Sequence, residues 1–513
     1  MQIKYFLNKI CLVILSFLFL FLVSCDINFV LVEETEEVTN KETETIDNKT
    51  VNTETDDIYI NPVSLTIYAL NDFHGVLFEN SKYAGISKLG EYITSNKNDG
   101  TIVVSSGDMF QGTAVSSMTR GRSVVDCMNY IGFDAMAIGN HEFDWGIDVV
   151  MKYQDGNLDN GEASFPFLCC NCTDLNTNEL ASWCKPYTVI ERLGVKIGLI
   201  GVIGSDEESS ITPSFVEGYD FTDEVVAIKK YTKILREDEG CNLVFILCHL
   251  DTSSINQKLV SFTGEYRIDA IFNGHTHQAY YGDYKRDDGS VVPYIQSGCY
   301  GAYLGKINIM YDRDQDKVIG ASSMNYNALS KCKNESDDIN NILTNYQEYI
   351  DIANQELGKT GITITRDIGG VWAATVLKEF GEGDVGICNV GGIRSNAFPM
   401  AKDSMINYDN IFAMMPFENT IVKCELLGSD LIRFFSNSYY VSDNVDTVNY
   451  TINGESIDRS KYYTVVTIDY LYEKSYLPFL NYGKNPVKYD VLFREALVSA
   501  FKENVYENGK FIR

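Results

Sequence analysis

Hydrophobic and polar positions divide this chain into three regimes. Residues 10–23 form an apolar run interrupted by Ser16 alone, residues 26 to about 58 have almost no apolar periodicity, and from Leu65 onward short apolar runs alternate with polar loops. The runs at 65–70, 101–104, 134–138, 196–203, 243–248 and 269–272 have the length of buried strands rather than helices. Residues 121–130 read as a short helix between two of them. Further on, Ile339, Ile342, Leu343, Tyr346, Tyr349, Ile350, Ala353 and Leu357 recur at helical spacing, with Ser336 or Asp337 available as the cap. That pattern predicts a linker helix over 336–358 between two strand-rich regions. A second helix is expected to run through Phe380, ahead of Asp384-Val-Gly-Ile-Cys-Asn389.

The polar residues just after the strands carry the chemistry. The chain has only five histidines, His74, His141, His249, His275 and His277, each placed within five residues after an apolar run and within three residues of Asn, Asp or Gly. In open α/β sheets ligands gather at strand ends, so one shared site explains all five. The central stretch is Gly139-Asn140-His141-Glu142-Phe143-Asp144. In extended backbone, side chains two apart share a face, which would let Asp72 and His74 reach one metal, and His275 and His277 likewise. The resulting ligand set is Asp72, His74, Asp108, Asn140, His249, His275 and His277. Seven mixed nitrogen and oxygen donors exceed one tetrahedral site and suit two divalent cations sharing Asp108 as a bridge. Zinc, manganese, iron and cobalt all fit such donors. Two such ions activate water and polarise phosphoester oxygens for in-line attack. His141 is left for the transferring phosphoryl group or the leaving oxygen, with Asp144 fixing its tautomer.

At 513 residues the chain exceeds one ordinary domain, and the natural division is 61–335 and 359–513 after the segments 1–24 and 25–60. A formal net charge of -29 argues against a nucleic acid polymer as partner, since phosphate would be repelled everywhere but at a local basic patch. A small anionic substrate remains compatible if metals and a few arginines neutralise it. No feature points to a protein partner. Lys4 and Lys9, the apolar run and the ending Leu22-Val23-Ser24-Cys25 resemble a bacterial lipoprotein signal, with Cys25 as the lipidated new N-terminus. The expectation is an exported protein, tethered by an acidic segment to a bilayer facing the periplasm or cell exterior. Of thirteen cysteines, eleven remain once Cys11 and Cys25 are set aside, an odd number in apolar contexts that suggests buried thiols rather than a disulfide framework.

These motifs resemble the 5'-nucleotidase family of calcineurin-like metallophosphoesterases, from about residue 63 to near the C-terminus. Asn71-Asp72-Phe73-His74-Gly75, Gly107-Asp108, Gly139 to Asp144, His249 and Gly274-His275-Thr276-His277 match its dimetal residues and His/Asp dyad in order. The resemblance implies a four-layer α/β/β/α catalytic domain and a smaller α/β C-terminal substrate-binding domain that can rotate about the linker helix. It also implies that Arg366 and Arg394 bind the substrate phosphate or its surroundings, that Asn389 contacts the nucleoside, and that Phe417 and Tyr470 sandwich the base. From the residues alone, Gly391 and Gly392 allow a close backbone turn around a ligand beside Arg394. Two departures lie on the substrate side. The family's glycine-rich GGDG stretch is replaced by Tyr472-Glu473-Lys474-Ser475-Tyr476-Leu477, and its Asn-rich approach to the second domain by residues 367–372. The implied reaction is hydrolysis of nucleoside 5'-monophosphates. The alternatives are 2',3'-cyclic nucleotides or nucleotide sugars as substrates, or a non-catalytic nucleoside-binding lipoprotein.

Overall fold

The computed structural model describes residues 61–250, 254–436 and 438–503, together with the backbone of the strands Val505–Glu507 and Lys510–Ile512. The export signal, Cys25 and the acidic tether expected from the sequence lie outside the described residues.

Two six-stranded sheets face each other. The first runs Lys317–Asn327, Tyr303–Asp312, Val63–Leu70, Thr101–Ser105, Ala135–Ala137, Phe167–Leu168. The second runs Ala279–Lys285, Val291–Ser297, Ala270–Asn273, Leu243–His249, Val195–Ile203, Tyr187–Arg192. Period-two alternation makes the layers: Leu65, Ile67 and Ala69 turn inward against Ile197, Leu199, Phe245 and Leu247 of the opposite sheet. The other face of Val63–Leu70 presents Tyr68 and Leu70 to the helices Gly85–Ser95 and Arg122–Ile131. On the far side, Ile228, Tyr231 and Leu235 of the helix Glu224–Glu237 cover Ile200, Val244 and Ile246. This is the four-layer α/β/β/α arrangement. Val63–Leu70, Thr101–Ser105, Ala135–Ala137 and Phe167–Leu168 are mutually parallel, as are Val195–Ile203, Leu243–His249 and Ala270–Asn273. The loops at their carboxyl ends converge on one rim.

The predicted linker helix is not one helix. Asp337–Thr344, capped by Ser336 through a bond to the Ile339 amide, ends at Asn345, and a second helix, Gln347–Ala353, follows. The break lets Tyr346 bury its ring and donate its hydroxyl to the Asp126 carboxylate. Leu357 belongs instead to the strand Glu356–Lys359, which pairs with Met405–Asn407. A run of apolar residues at helical spacing survives a kink because each helix keeps its own buried stripe.

The C-terminal part is a five-stranded sheet in the order Tyr439–Val441, Val385–Asn389, Tyr462–Ile468, Thr420–Leu427, Lys484–Leu492, with the helix Arg366–Phe380 laid across it. Gly386 makes that approach possible, because a Cβ there would fall 1.8 Å from the Ala374 carbonyl oxygen. The eleven described cysteines are all free thiols and nine are buried, as the apolar contexts suggest.

Candidate metal centre and substrate cavity

The structure brings Asp72, His74, Asp108, Asn140, His249, His275 and His277 to the shared rim, by a different route from the one expected. The segments around 72–74 and 275–277 are not extended. Asp72, His74, Asp108, His275 and His277 all take positive φ, at 48°, 51°, 55°, 74° and 58°. Left-handed backbone at non-glycine residues costs on the order of 1–3 kcal/mol each and persists only where surroundings over-determine it. Here the amides of Asp72 and His74 donate to the carbonyls of Gly107 and Asp108 at 3.0 Å, and Tyr300 N donates to the Asp72 carbonyl at 2.7 Å. The Glu142 carboxylate accepts from the amides of Asp108, Met109 and Gly139 at 2.8–3.0 Å, pinning the loop under Asp108. Gly139 has no room for a side chain, since a Cβ would lie 2.3 Å from Asp108 Oδ1.

Hydrogen bonds then fix the imidazoles. His74 Nδ1 donates to the Gln111 carbonyl at 2.8 Å, which leaves Nε2 as a lone-pair donor 3.0 Å from His277 Nε2. His249 Nδ1 donates to the Ser106 carbonyl at 2.7 Å and turns Nε2 toward Asn140 Oδ1 at 3.0 Å and Asp108 Oδ2 at 3.2 Å. His275 Nδ1 stands 3.1 Å from the same Asn140 oxygen. Asp72, His74 and His277 form one cluster able to hold an ion, and Asp108 shares further clusters with His74 and His141 and with Asp72 and His249. Donor atoms otherwise facing one another, with their outer nitrogens committed to carbonyls, are the arrangement of metal ligands.

The electrostatics agree. Burial pushes the Asp72 carboxyl up to about 7, with Asp108 adding to it. Burial acts on Asp108 too, but the imidazoles of His249 and His141 outweigh it and hold that carboxyl well below its usual range. His249 is carried up to about 10 against its own burial by Asp108, Asp72 and Glu207. Burial, then neighbouring cations, brings His275 down to about 4 and His277 to about 3, so both are neutral imidazoles. A cage that raises a buried histidine this far favours positive charge at its centre, and the residues fit two divalent cations.

His141 lies in the short 3-10 turn Asn140–Phe143, and its Nδ1 is 2.8 Å from Asp144 Oδ2. Burial opposes its protonation, but Asp144 and Asp108 together hold it above the ordinary imidazole range. Its Nε2 faces Arg394 Nη2 at 3.4 Å across the boundary between the two halves. Phe417 stacks on His141 at 5.9 Å between centroids, and the Arg394 guanidinium lies 5.5 Å from the Phe417 ring.

A cavity of about 490 Å³ opens over these groups, ample for a small organic phosphoester. Asn389, Gly392, Arg394, Phe417 and Tyr470 line it together with Asp108, Asn140, His141, Asp144, His275 and His277. Asn389 Oδ1 is buried without a hydrogen-bond partner there. Arg366 is the exception. It is not among the lining residues, and its Nε and Nη2 donate to the carbonyls of Ile393 and Val390 at 2.8 Å, buttressing the turn that carries Arg394.

Unanticipated from the sequence is the opposite wall, made by Ser210, Thr212, Ser214 and Phe215 of the catalytic half. So is Glu207, whose Oε1 is 3.1 Å from His275 Nε2. The available signal was position, because Asp206-Glu207-Glu208 follows the end of Val195–Ile203 as the ligand loops follow theirs. Lys474, from the segment that replaces the glycine-rich stretch, donates to the carbonyls of Ser209 and Ile211 at 2.8 and 3.0 Å.

Comparison with known proteins follows the same division. A calcineurin-like phosphoesterase profile matches residues 65–279, and a 5'-nucleotidase C-terminal domain profile matches residues 318–444. Snake venom 5'-nucleotidase of Gloydius brevicauda is 27% identical over 437 residues, covering 73% of this chain and 70% of its own. The 5'-nucleotidase of Vibrio parahaemolyticus is 24% identical over 427 residues, covering 72% and 74%. Among solved structures, the 5'-nucleotidase precursor of Thermus thermophilus aligns with a TM-score of 0.69 at 20% identity over 86% of this chain and 96% of that one. The sulfate thiohydrolase SoxB of the same species aligns at 0.67 and 15% identity over 87% and 95%. At such identities the likeness speaks to the fold, and one fold hosts more than one substrate class.

Proposed function

Because this chain belongs to the calcineurin-like metallophosphoesterases and carries a 5'-nucleotidase C-terminal domain, we propose that it removes phosphate from nucleoside 5'-monophosphates. It is a hydrolase whose cofactor is a pair of divalent cations, which supply Lewis acidity and an activated water when bound. Asp72, His74 and His277 would hold one ion, Asn140, His249 and His275 the other, and Asp108 would serve both. The observation that carries the substrate reading is the approach of Arg394 Nη2 to within 3.4 Å of His141 Nε2 at the cavity wall. Nitrogen groups from different halves of the molecule meet at one point of the cavity wall, which suits a phosphoryl oxygen lying against both. His141, oriented by Asp144, donates a proton or hydrogen bond to the phosphoryl or leaving oxygen. Arg394 binds phosphate oxygens, and Arg366 acts behind it by holding its turn. Asn389 offers its unpaired oxygen to the nucleoside, Gly392 lets the backbone approach, and Phe417 and Tyr470 present rings to the base. Phosphate release from a panel of nucleotides tests this, with 5'-monophosphates expected to be turned over best.

A second reading, hydrolysis of cyclic nucleotides or nucleotide sugars, is favoured by the hydroxyl-bearing wall of Ser210, Thr212 and Ser214, which offers partners to a second polar moiety. A catalytically silent nucleoside binder would bind nucleoside without turnover in the same panel. We further propose that the enzyme works outside the cytoplasm on a lipid anchor at Cys25. Intact mass measurement of detergent-extracted protein should show a diacylated Cys25 N-terminus, and an unmodified, uncleaved chain would refute the anchor.

A further inference from the structure

Three imidazoles that turn one nitrogen into the metal cage, those of His74, His249 and His275, set the other against a partner outside it. For His74 and His249 that partner is a backbone carbonyl, of Gln111 and Ser106 respectively. For His275 it is a full carboxylate. Glu207 Oε1 lies 3.1 Å from His275 Nε2, on the side opposite the Nδ1 that faces Asn140. Glu207 is 3% exposed and its second oxygen, Oε2, is buried without a hydrogen-bond partner. A buried carboxylate in that condition is unfavourable unless it serves a cationic or strongly polarised neighbour.

We propose that Glu207 is the positioning residue for His275, forming a carboxylate–histidine–metal relay that sets the tautomer and basicity of this ligand toward one of the two cations. The proposal rests on the metallophosphoesterase reading of the site. A carboxylate on the outer nitrogen holds the proton at Nε2, leaves Nδ1 as the electron-pair donor and makes it a stronger one. Neither carbonyl behind His74 and His249 carries a charge, so this relay distinguishes His275 from those two ligands.

The same loop is gripped from the C-terminal half. Lys474 Nζ donates to the carbonyls of Ser209 and Ile211, within four residues of Glu207, and the Tyr470 hydroxyl donates to the Ser209 carbonyl at 3.4 Å. The presentation of Glu207 to His275 therefore depends on a segment of the substrate-binding half, the segment in which this chain departs from the glycine-rich pattern.

The test is metal affinity, read without substrate. The full chain would be loaded with manganese or zinc and titrated with a competing chelator, with bound metal counted by mass spectrometry, for wild type, Glu207→Gln and Glu207→Leu. The amide retains an acceptor and the shape, so Glu207→Gln should keep the thermal transition and lose about tenfold in affinity for one of the two ions, whereas Glu207→Leu should lose about a hundredfold. Activity of Glu207→Gln should return toward wild type at saturating metal. Unchanged affinity and stoichiometry in a folded Glu207→Gln would overturn the proposal, as would equal loss of both ions. A wild-type chain that binds no divalent metal would overturn the metallophosphoesterase reading itself, an outcome visible before either variant is made.

Discussion

Five of the seven ligands on the metal side of the cavity are buried, five have left-handed backbone, and their outer atoms are bonded to carbonyls, amides or carboxylates. Across the cavity, Phe417, Tyr470, Arg394 and Asn389 are half-buried, and they come from turns and short helices on a separate sheet. One wall is rigid because strained backbone needs many bonds to persist. The other meets the catalytic half through side chains rather than paired backbone: Arg394 beside His141, Gln111 Nε2 donating to the Pro416 carbonyl at 2.8 Å, Arg120 paired with Glu418, the Ala114 amide donating to Asp409 at 2.9 Å, Lys82 donating to the Asn396 and Phe398 carbonyls at 2.9 Å, and Lys474 and Tyr470 on the 209–211 turn. The difference separates two tasks. The metal wall fixes the reaction, and the C-terminal wall fixes what is brought to it.

The largest effect should come from the rigid wall. Removing metal with chelator, or changing Asp108 to Asn, is expected to lower phosphoester turnover by on the order of 10³-fold or more, because both cations lose a shared ligand. Metal counting on the variant should show fewer than two ions per chain, and two tightly bound ions with full activity would remove Asp108 from the bridge. His141→Ala should lose about 10²–10⁴-fold in kcat while retaining both ions, the signature of acid-base work rather than ligation. Loss of metal in that variant would instead make His141 a ligand, which its place in a cluster with His74 and Asp108 makes a fair challenge.

Crossing to the C-terminal wall, Arg394→Ala should cost about 10- to 100-fold in kcat/KM, the weight of a charged hydrogen bond of about 1.5–3 kcal/mol. Arg366→Ala should fall short of that, since it acts through the turn. Phe417→Ala and Tyr470→Ala should raise KM for nucleotides by about 5- to 100-fold, from about 1–3 kcal/mol of base stacking, and leave a generic aryl phosphate almost unaffected. An equal loss on both substrates would make these rings core residues.

The smallest effect concerns Lys474. Burial pushes its ammonium down to about 8, below the roughly 10.4 of an unfolded lysine. Between those values the unfolded chain binds more protons than the folded one, so stability should rise with pH across that window. Thermal transitions of wild type should show the rise, and Lys474→Met should flatten it.

The same contrast explains what could be read from the chain. Strand-end histidines and carboxylates are legible because each follows an apolar run closely, and the four layers follow from strands such as Leu243–His249 that are buried on both faces. What brings Asp72 and His74 together was not legible. Extended alternation would serve the same end, and only long-range bonds to Gly107 and Asp108 force the left-handed turn. The kink at Asn345 was hidden for a similar reason, since Tyr346 lies in register with either one helix or two and its hydroxyl finds Asp126 only in three dimensions. Glu207 offered only its place after a strand and Lys474 only its place in a divergent segment, while their partners lie far off in sequence, His275 for one and Ser209, 265 residues away, for the other.

The central claim is metal-dependent release of phosphate from nucleoside 5'-monophosphates, and it meets its most direct test in one assay. Purified protein trimmed of residues 1–60 would be offered 5'-monophosphates, cyclic nucleotides and nucleotide sugars, with manganese, zinc or cobalt and with chelator. Chelator-sensitive phosphate release, highest on 5'-monophosphates, is expected. Release confined to the other esters would move the specificity to the 210–215 and 470–476 walls, and no release with any metal would remove the enzyme from this site.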